Sequence, residues 1–381
     1  MNEDKAFYQE SFSLGVLGGG QLGRMMLPIA NYMDIRISIL DPSPHASCAA
    51  LVGDFVQGEF TDYETVLNFG RDKDLITIEI ENVNVDALDQ LKKEGVTICP
   101  DPSHLRLIKD KGLQKEFYRL NNIATSAYEL MESDSITEAH LPVVQKARTG
   151  GYDGKGVKVL RDVKDLQQRL QGPCVLEELV DIEKELSVIV ARSANGEAKT
   201  YPIVELVFDP AANLVDYLLS PADISQIVAE RANQLAMDIV NKMDFVGLLA
   251  VELFLSKEGE VLVNEVAPRT HNSGHHSIEG NYTSQFEQHL RAILALPLGD
   301  ASVRCHAAMV NIVGEPDALG KAKYEGMDEI LSMPKTYLHL YGKPDVKPYR
   351  KMGHVTVLGD GREEVIAKAN KVKSCLKAKH H

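Results

Sequence analysis

Two glutamates set among apolar residues, Glu252 and Glu265 in LLAVELFLSKEGEVLVNEV (248–266), carry the clearest chemical signal in the sequence. Alternating apolar runs flank Lys257-Glu258-Gly259-Glu260, and a two-residue turn at Glu258-Gly259 sets Glu252 directly opposite Glu265. Like charges so placed repel, so something must compensate them. Mg2+ is the natural candidate, because phosphoryl-transfer sites hold this hard cation with two carboxylates and phosphate oxygens. A register shifted by one residue would instead turn one carboxylate to solvent. A second signal lies in KARTGGYDGKGV (146–157), where Gly150, Gly151, Gly154 and Gly156 sit between two strand-like runs, with Lys146 and Lys155 supplying charge. Such a loop can lay backbone N–H groups on phosphate oxygens. It lacks the spacing and following helix of a Walker A loop, and alone it also fits a mobile polar hairpin. A third segment, CVLEELVDIEKELSVIV (174–190), delivers Glu177, Glu178, Leu179 and Val180 from a strand into an acidic linker. Its backbone can meet an adenine edge while a carboxylate accepts from ribose hydroxyls.

Near the start, SLGVLGGGQLGR places Gly18, Gly20 and Gly23 at G-x-G-x-x-G spacing after an apolar strand, and the next strand, IRISILD, ends in Asp41. That is the form of a dinucleotide fingerprint, and it suggests a nicotinamide oxidoreductase. Such an enzyme has no use for Glu252, Glu265 or TGGYDGKG. Near the end, GKPDVKPYRKMGH gathers Lys343, Lys347, Arg350 and Lys351.

The elements that must position these groups follow from periodicity. LGVLG, LGRMMLPIANYM, IRISIL, LITIEIENV and VTICP alternate as strands and helices of an open parallel sheet. After Pro100–Pro102, with Ser103 as N-cap, the chain leaves that sheet, which sets a boundary near residue 105. Strand pairs and longer helices follow. The clearest helix is SPADISQIVAERANQLAMDIV, with Ser220 as cap, Pro221 at N1, and Ile224, Ile227, Val228, Leu235 and Ile239 on one stripe. Short strands, KTYLHLYG and GHVTVLG among them, form the last unit. The expected architecture is α/β and α+β, with an N-terminal parallel-sheet domain (1–106), a central domain (107–298) and a small β-rich C-terminal domain (299–381).

With 381 residues, 44% hydrophobic and 25% charged, the chain can bury large cores. A net charge of −14 argues against nucleic acid or anionic membrane as partner, so anionic ligands must be held by local basic clusters. Cys48, Cys99, Cys174, Cys305 and Cys375 are widely spaced with no C-x-x-C pair, as suits reduced thiols. No apolar run is long enough to span a bilayer and the first ten residues are polar, so a cytoplasmic protein is expected. The closing KAKHH reads as a disordered tail.

Lys111, Lys146, TGGYDGKG, the EELV linker with Glu185, Glu252, and NEVAPRTHNSGH (264–275) occur in an order and at intervals that resemble the ATP-grasp enzymes. More narrowly, with GGGQLGRM, TIEIENV, SQFEQHLRAILALPLG and YGKPDVKPYRKMGHVTV, the whole chain resembles the 5-(carboxyamino)imidazole ribonucleotide synthases of purine biosynthesis. The resemblance implies a ligase that uses ATP and bicarbonate to form carboxyphosphate, then carboxylates the amine of 5-aminoimidazole ribonucleotide, without biotin. It also implies a homodimer. It places Lys111 and Lys146 on ATP phosphates, Gly151, Tyr152, Asp153, Gly154, Lys155, Gly156 and Val157 over them, Glu177 to Val180 at adenine and Glu185 at ribose. Glu252 and Glu265, with Asn264 beside them, take Mg2+ and the nucleotide. Arg269, His271, Asn272 and Ser273 follow closely, next to the γ-phosphate and the substrates. Arg269 can clamp bicarbonate, while His271, Tyr152 with Asp153, and Lys155 serve the chemistry. Lys343, Arg350 and Lys351 take the ribonucleotide's phosphate, and Gly20, Gln21, Leu22 and Glu79 meet it from the first domain. The fingerprint then serves this ribonucleotide, and Asp41 has no ligand to hold. Two positions depart from the wider superfamily pattern: Ala267 stands where many members carry Asn, and Phe208 where many carry His.

Overall fold

The computed structural model describes residues 6–151, 156–209 and 214–381. Its first unit is a five-stranded parallel sheet in the spatial order Asp54–Gln57, Ile37–Asp41, Leu14–Leu17, Leu75–Ile78, Thr97–Ile98. The inner strands are continuous apolar runs buried on both faces, as parallel sheets covered by helices require. Asp54–Gln57 escapes sequence reading because DFVQ is short and largely solvent-facing at the sheet edge.

Asp101, not Ser103, caps the helix Pro102–Lys109: its carboxylate accepts from the Ser103 backbone N–H at 2.9 Å, and Pro102 takes the first helical position. The chain then forms a four-stranded antiparallel sheet, ordered Tyr128–Glu132, Pro173–Glu178, Val143–Ala147, Val157–Leu160. A larger sheet, nine-stranded among the described residues, starts at Val261–Ala267 and runs through Gly247–Ser256 and Ile182–Arg192, on which the short strand Ala198–Thr200 also pairs. It continues through Val204–Asp209 and Leu214–Ser220 into His306–Val313, Lys351–Gly359 and Thr336–Leu340. The C-terminal strands therefore extend the central sheet, with Tyr217 paired to Val310.

Two further expectations change. The long helix spans Gln226–Met243 and is capped by Ser225, whose hydroxyl accepts from Val228; Ser220 is instead the buried end of a strand. In that later helical frame Ile227 is 78% exposed, while Leu235 and Ile239 stay buried and Val228, partly buried, packs against the same core. The terminal residues are ordered as well: Lys377–His380 pairs with Gly320–Glu325, and Lys379 bonds Glu325 across that ladder at 2.8 Å. All five cysteines are free thiols, and among the described residues no helix is long and apolar enough to cross a membrane.

Candidate functional site

Strands Gly247–Ser256 and Val261–Ala267 form the expected hairpin, and Glu252 faces Glu265. The register that achieves this is not the one a two-residue turn dictates. Leu253 pairs with Val263 and Phe254 with Leu262, and the frame shifts by one residue between Glu252 and Leu253. Asn264 is the extra residue of a β-bulge. Strict alternation would send Asn264 and Glu265 to opposite faces, but here both reach one cluster of lysines: Lys146 Nζ donates to Asn264 Oδ1 at 2.7 Å and Lys111 pairs with Glu265. Burial, then Glu265 and Glu185, hold the Glu252 carboxyl above the ordinary carboxylate range. Burial would raise Glu265 too, but Lys111, Lys146 and His271 together outweigh it and keep that carboxyl low. Burial raises Glu185 to about 7 against the pull of Lys146. Among the described residues no group of three or more His, Cys, Asp or Glu could hold a metal. A donor set of two opposed carboxylates suits Mg2+ completed by phosphate oxygens and water.

The raised carboxyl of Glu185 has a sign that can be checked. Between its ordinary value of 4.5 and about 7 the folded state keeps a proton that the unfolded chain has released, so this group costs stability as pH rises through that window. Glu185→Gln should therefore raise the ligand-free Tm at a pH of about 8 and leave it unchanged at a pH of about 4, measured by thermal denaturation at both.

Beneath the lysines lies Glu177. Its side chain is not at the surface but 3% exposed, with Lys146 at 3.0 Å, Lys115 at 3.3 Å and the Ser126 hydroxyl at 2.8 Å. Burial favours its protonation, yet the two lysines prevail and lower its pKa. Lys115, 2% exposed, also donates to Thr125 and Ser126, and burial brings its ammonium down to about 8. Lys115 is not legible as a site residue in the sequence, because LQKEFYRL reads as an ordinary amphipathic helix; the only hint is a lysine one turn after Lys111. Glu178 is exposed, and Leu179 and Val180 are half-buried at the strand end. Of the glycine loop, Gly151, Gly156 and Val157 are described, and Ala147 N–H bonds the Gly156 carbonyl at 2.9 Å at its base; Tyr152, Asp153, Gly154 and Lys155 lie outside the described residues.

The segment after Glu265 folds over the same hairpin. His271 Nε2 stands 3.6 Å from Glu252 Oε1 while its Nδ1 meets the Ser273 hydroxyl at 2.9 Å, and Ser273 in turn meets Ser187 at 2.8 Å. Arg269 pairs at 2.8 Å with Glu81, a residue of the first domain that the sequence analysis did not single out. Asn272 exchanges hydrogen bonds with Asn311 at 2.9 and 3.2 Å, which ties the segment to the C-terminal strands.

At the glycine turn the Glu79 carboxylate fills the space that a dinucleotide pyrophosphate would need. Leu22 N–H donates to Glu79 Oε1 at 3.1 Å, and a Cβ built on Gly20 would lie 2.5 Å from the same oxygen. Burial, opposed by Arg269, raises Glu79 to about 7. Asp41 has structural work: it accepts from Gly19 and Ser43 backbone N–H groups, both at 2.8 Å. Gly20→Ala should thus cost about 1–3 kcal/mol, seen as a lower midpoint in denaturant unfolding. Gln21 begins the helix Gln21–Tyr32, and Arg24 on it lies against Gly342, where a Cβ would come 2.8 Å from its Nη1. Arg24 therefore adjoins Lys343, whose Nζ donates to the Lys351 carbonyl at 2.7 Å; Arg350 donates to the Asp345 carbonyl at 2.6 Å.

Paired lysines, an acidic strand end and opposed carboxylates on one hairpin are the arrangement of an ATP-grasp protein, and an ATP-grasp domain model matches residues 116–286. A ribonucleotide synthetase preATP-grasp domain matches 12–109, and a phosphoribosylaminoimidazole carboxylase C-terminal domain matches 307–368. The chain belongs to the N5-carboxyaminoimidazole ribonucleotide synthase family: it is 36% identical to that synthase of Bacillus subtilis, over 93% of both chains. It is also 37% identical to the chloroplastic phosphoribosylaminoimidazole carboxylase of Vigna aconitifolia, covering 92% of this chain but only 65% of that longer protein. The crystal structure of the synthetase from Thermotoga maritima superposes with a TM-score of 0.90 at 40% identity, over 97% of this chain and 100% of that one. The Aspergillus clavatus synthase, solved with ADP and 5-aminoimidazole ribonucleotide, gives 0.85 at 32% identity, over 95% of this chain and 98% of that one.

Proposed function

We infer that the protein carboxylates 5-aminoimidazole ribonucleotide with bicarbonate at the expense of ATP, forming 5-(carboxyamino)imidazole ribonucleotide, ADP and phosphate. The observation that carries this reading is the meeting of two differently built anion sites. One is the Lys111, Lys146, Glu252 and Glu265 cluster; the other is Glu79 at the glycine turn, which lies in the fields of Arg269 and Lys343. Phosphoryl transfer asks for positioning and charge neutralisation rather than a covalent nucleophile, and the first cluster supplies both.

In this reading Lys111 and Lys146 hold the ATP phosphates, Gly151 to Val157 cover them, Glu178 to Val180 line the adenine and Glu185 meets the ribose. Glu252 and Glu265 would hold Mg2+, which neutralises phosphate charge when bound. Glu177 acts indirectly, by holding Lys146 in place through their ion pair. Arg269 binds bicarbonate and then carboxyphosphate. The substrate amine attacks the carboxyl carbon, phosphate departs with the electrons of the C–O bond, and the amine proton passes to His271 or to Tyr152 with Asp153. Asn272 and Ser273 hold this segment in place. Gly20, Gln21, Leu22, Glu79, Lys343, Arg350 and Lys351 bind the ribonucleotide. No biotin takes part, and the working form is a cytoplasmic homodimer.

Radiolabelled bicarbonate should enter an acid-labile product only when ATP and the ribonucleotide are both present; label uptake without ribonucleotide, or none at all, would refute the assignment. Lys343→Ala should raise the ribonucleotide KM by roughly 10-fold or more and leave the ATP KM unchanged, because a charge-assisted phosphate contact is lost. Steady-state kinetics in each substrate separate the two.

A further inference from the structure

Gln285 is fully buried outside every group assigned above, yet its amide is bound in both directions to the main chain of His271. Oε1 accepts from His271 N–H at 2.8 Å and Nε2 donates to the His271 carbonyl at 2.7 Å. Those backbone partners fix which end of the amide is oxygen and which is nitrogen. The second N–H of Nε2 then points at His275 Nδ1, 3.1 Å away, and that ring nitrogen must be the acceptor. His275 is 1% exposed, stacks on Phe286 and tilts against His354 at 4.9 Å, so its ring cannot turn away. Burial and the neighbouring His271 push its pKa well down, in keeping with a neutral ring. Gln285 itself starts the helix Gln285–Ile293, whose Phe286 and Leu290 are embedded in the N-terminal core with Leu14 and Met26. His289 of the same helix bonds Thr77 of the first sheet at 3.0 Å. The fit is close: a Cβ on Gly274 would lie 2.5 Å from Gln285 Oε1.

We propose that Gln285 is a positioning residue, which locks the main chain of His271 onto the fixed helix, while His275 in its Nε2-protonated form locks the Gln285 amide. The proposal rests on the carboxylation reading. Its consequence is chemical. With His271 held, carboxyphosphate meets the amine beside its proton acceptor; with the clamp released, Arg269, anchored by Glu81, and the ATP site still carry the phosphorylation of bicarbonate, but water attacks the intermediate and returns bicarbonate and phosphate.

The readout is the ratio of ADP released to ribonucleotide carboxylated, measured with Mg2+, ATP, bicarbonate and ribonucleotide. Wild type should give one. Gln285→Glu keeps the shape and the acceptor but loses the donor, and should lift the ratio above one while product formation falls roughly 10²-fold. His275→Phe should also uncouple, whereas His275→Asn, whose Oδ1 stands in for Nδ1, should stay coupled. A clamp that merely aided folding would lower both rates together and leave the ratio at one. A ratio of one in soluble Gln285→Glu, or in His275→Phe should the first variant not fold, would overturn the proposal. Wild-type ADP release indifferent to ribonucleotide would instead fault the underlying reading.

Discussion

Glu265→Ala lowers kcat by roughly 10³-fold, because it removes one of the two opposed carboxylates and frees Lys111 from its partner in a single change. Without it the proposed Mg2+ would have only Glu252 on the protein side, and the Lys111 ammonium would lose its partner. The hairpin should survive, since Val261, Val263 and Val266 remain buried in the core. Glu258→Ala, at the exposed turn of the same hairpin, should leave kcat as it was. Steady-state ADP release across a Mg2+ titration checks both. A wild-type rate for Glu265→Ala would remove the phosphoryl-transfer role of the hairpin.

The second large effect concerns stability. Glu177→Ala leaves Lys115 and Lys146 facing one another in a site where both are nearly inaccessible, and breaking a buried ion pair in this way costs about 3–5 kcal/mol. The neighbouring Glu178 is exposed, so Glu178→Ala should change stability by less than about 0.5 kcal/mol. Denaturant unfolding of both variants without nucleotide makes the comparison. Equal stabilities would show that Glu177 serves ligand binding alone and not the lysine cluster.

These residues show why part of the site can be read in the sequence and part cannot. That the two strands form a hairpin bringing Glu252 and Glu265 together is legible in their alternation, but the opposition itself depends on the bulge at Asn264, whose partner Lys146 lies more than a hundred residues away. Ser220 and Ser103 look like helix caps because cap preference is local; the strand running on through Ser220 and the rival Asp101 decide otherwise. The glycine fingerprint identifies a tight strand-to-helix turn but not its ligand, which depends on Glu79 arriving from another strand. Gln285 and Lys115 stay hidden for the same reason, as each acquires its meaning from partners distant in sequence or packed from another element.

The central claim is that ATP is spent on carboxylating a ribonucleotide. Its most direct test is ADP release by the wild-type protein with Mg2+, ATP and bicarbonate, with and without 5-aminoimidazole ribonucleotide. The account predicts release that rises steeply on adding the ribonucleotide and falls when bicarbonate is withdrawn; ADP production unchanged by the ribonucleotide would contradict it.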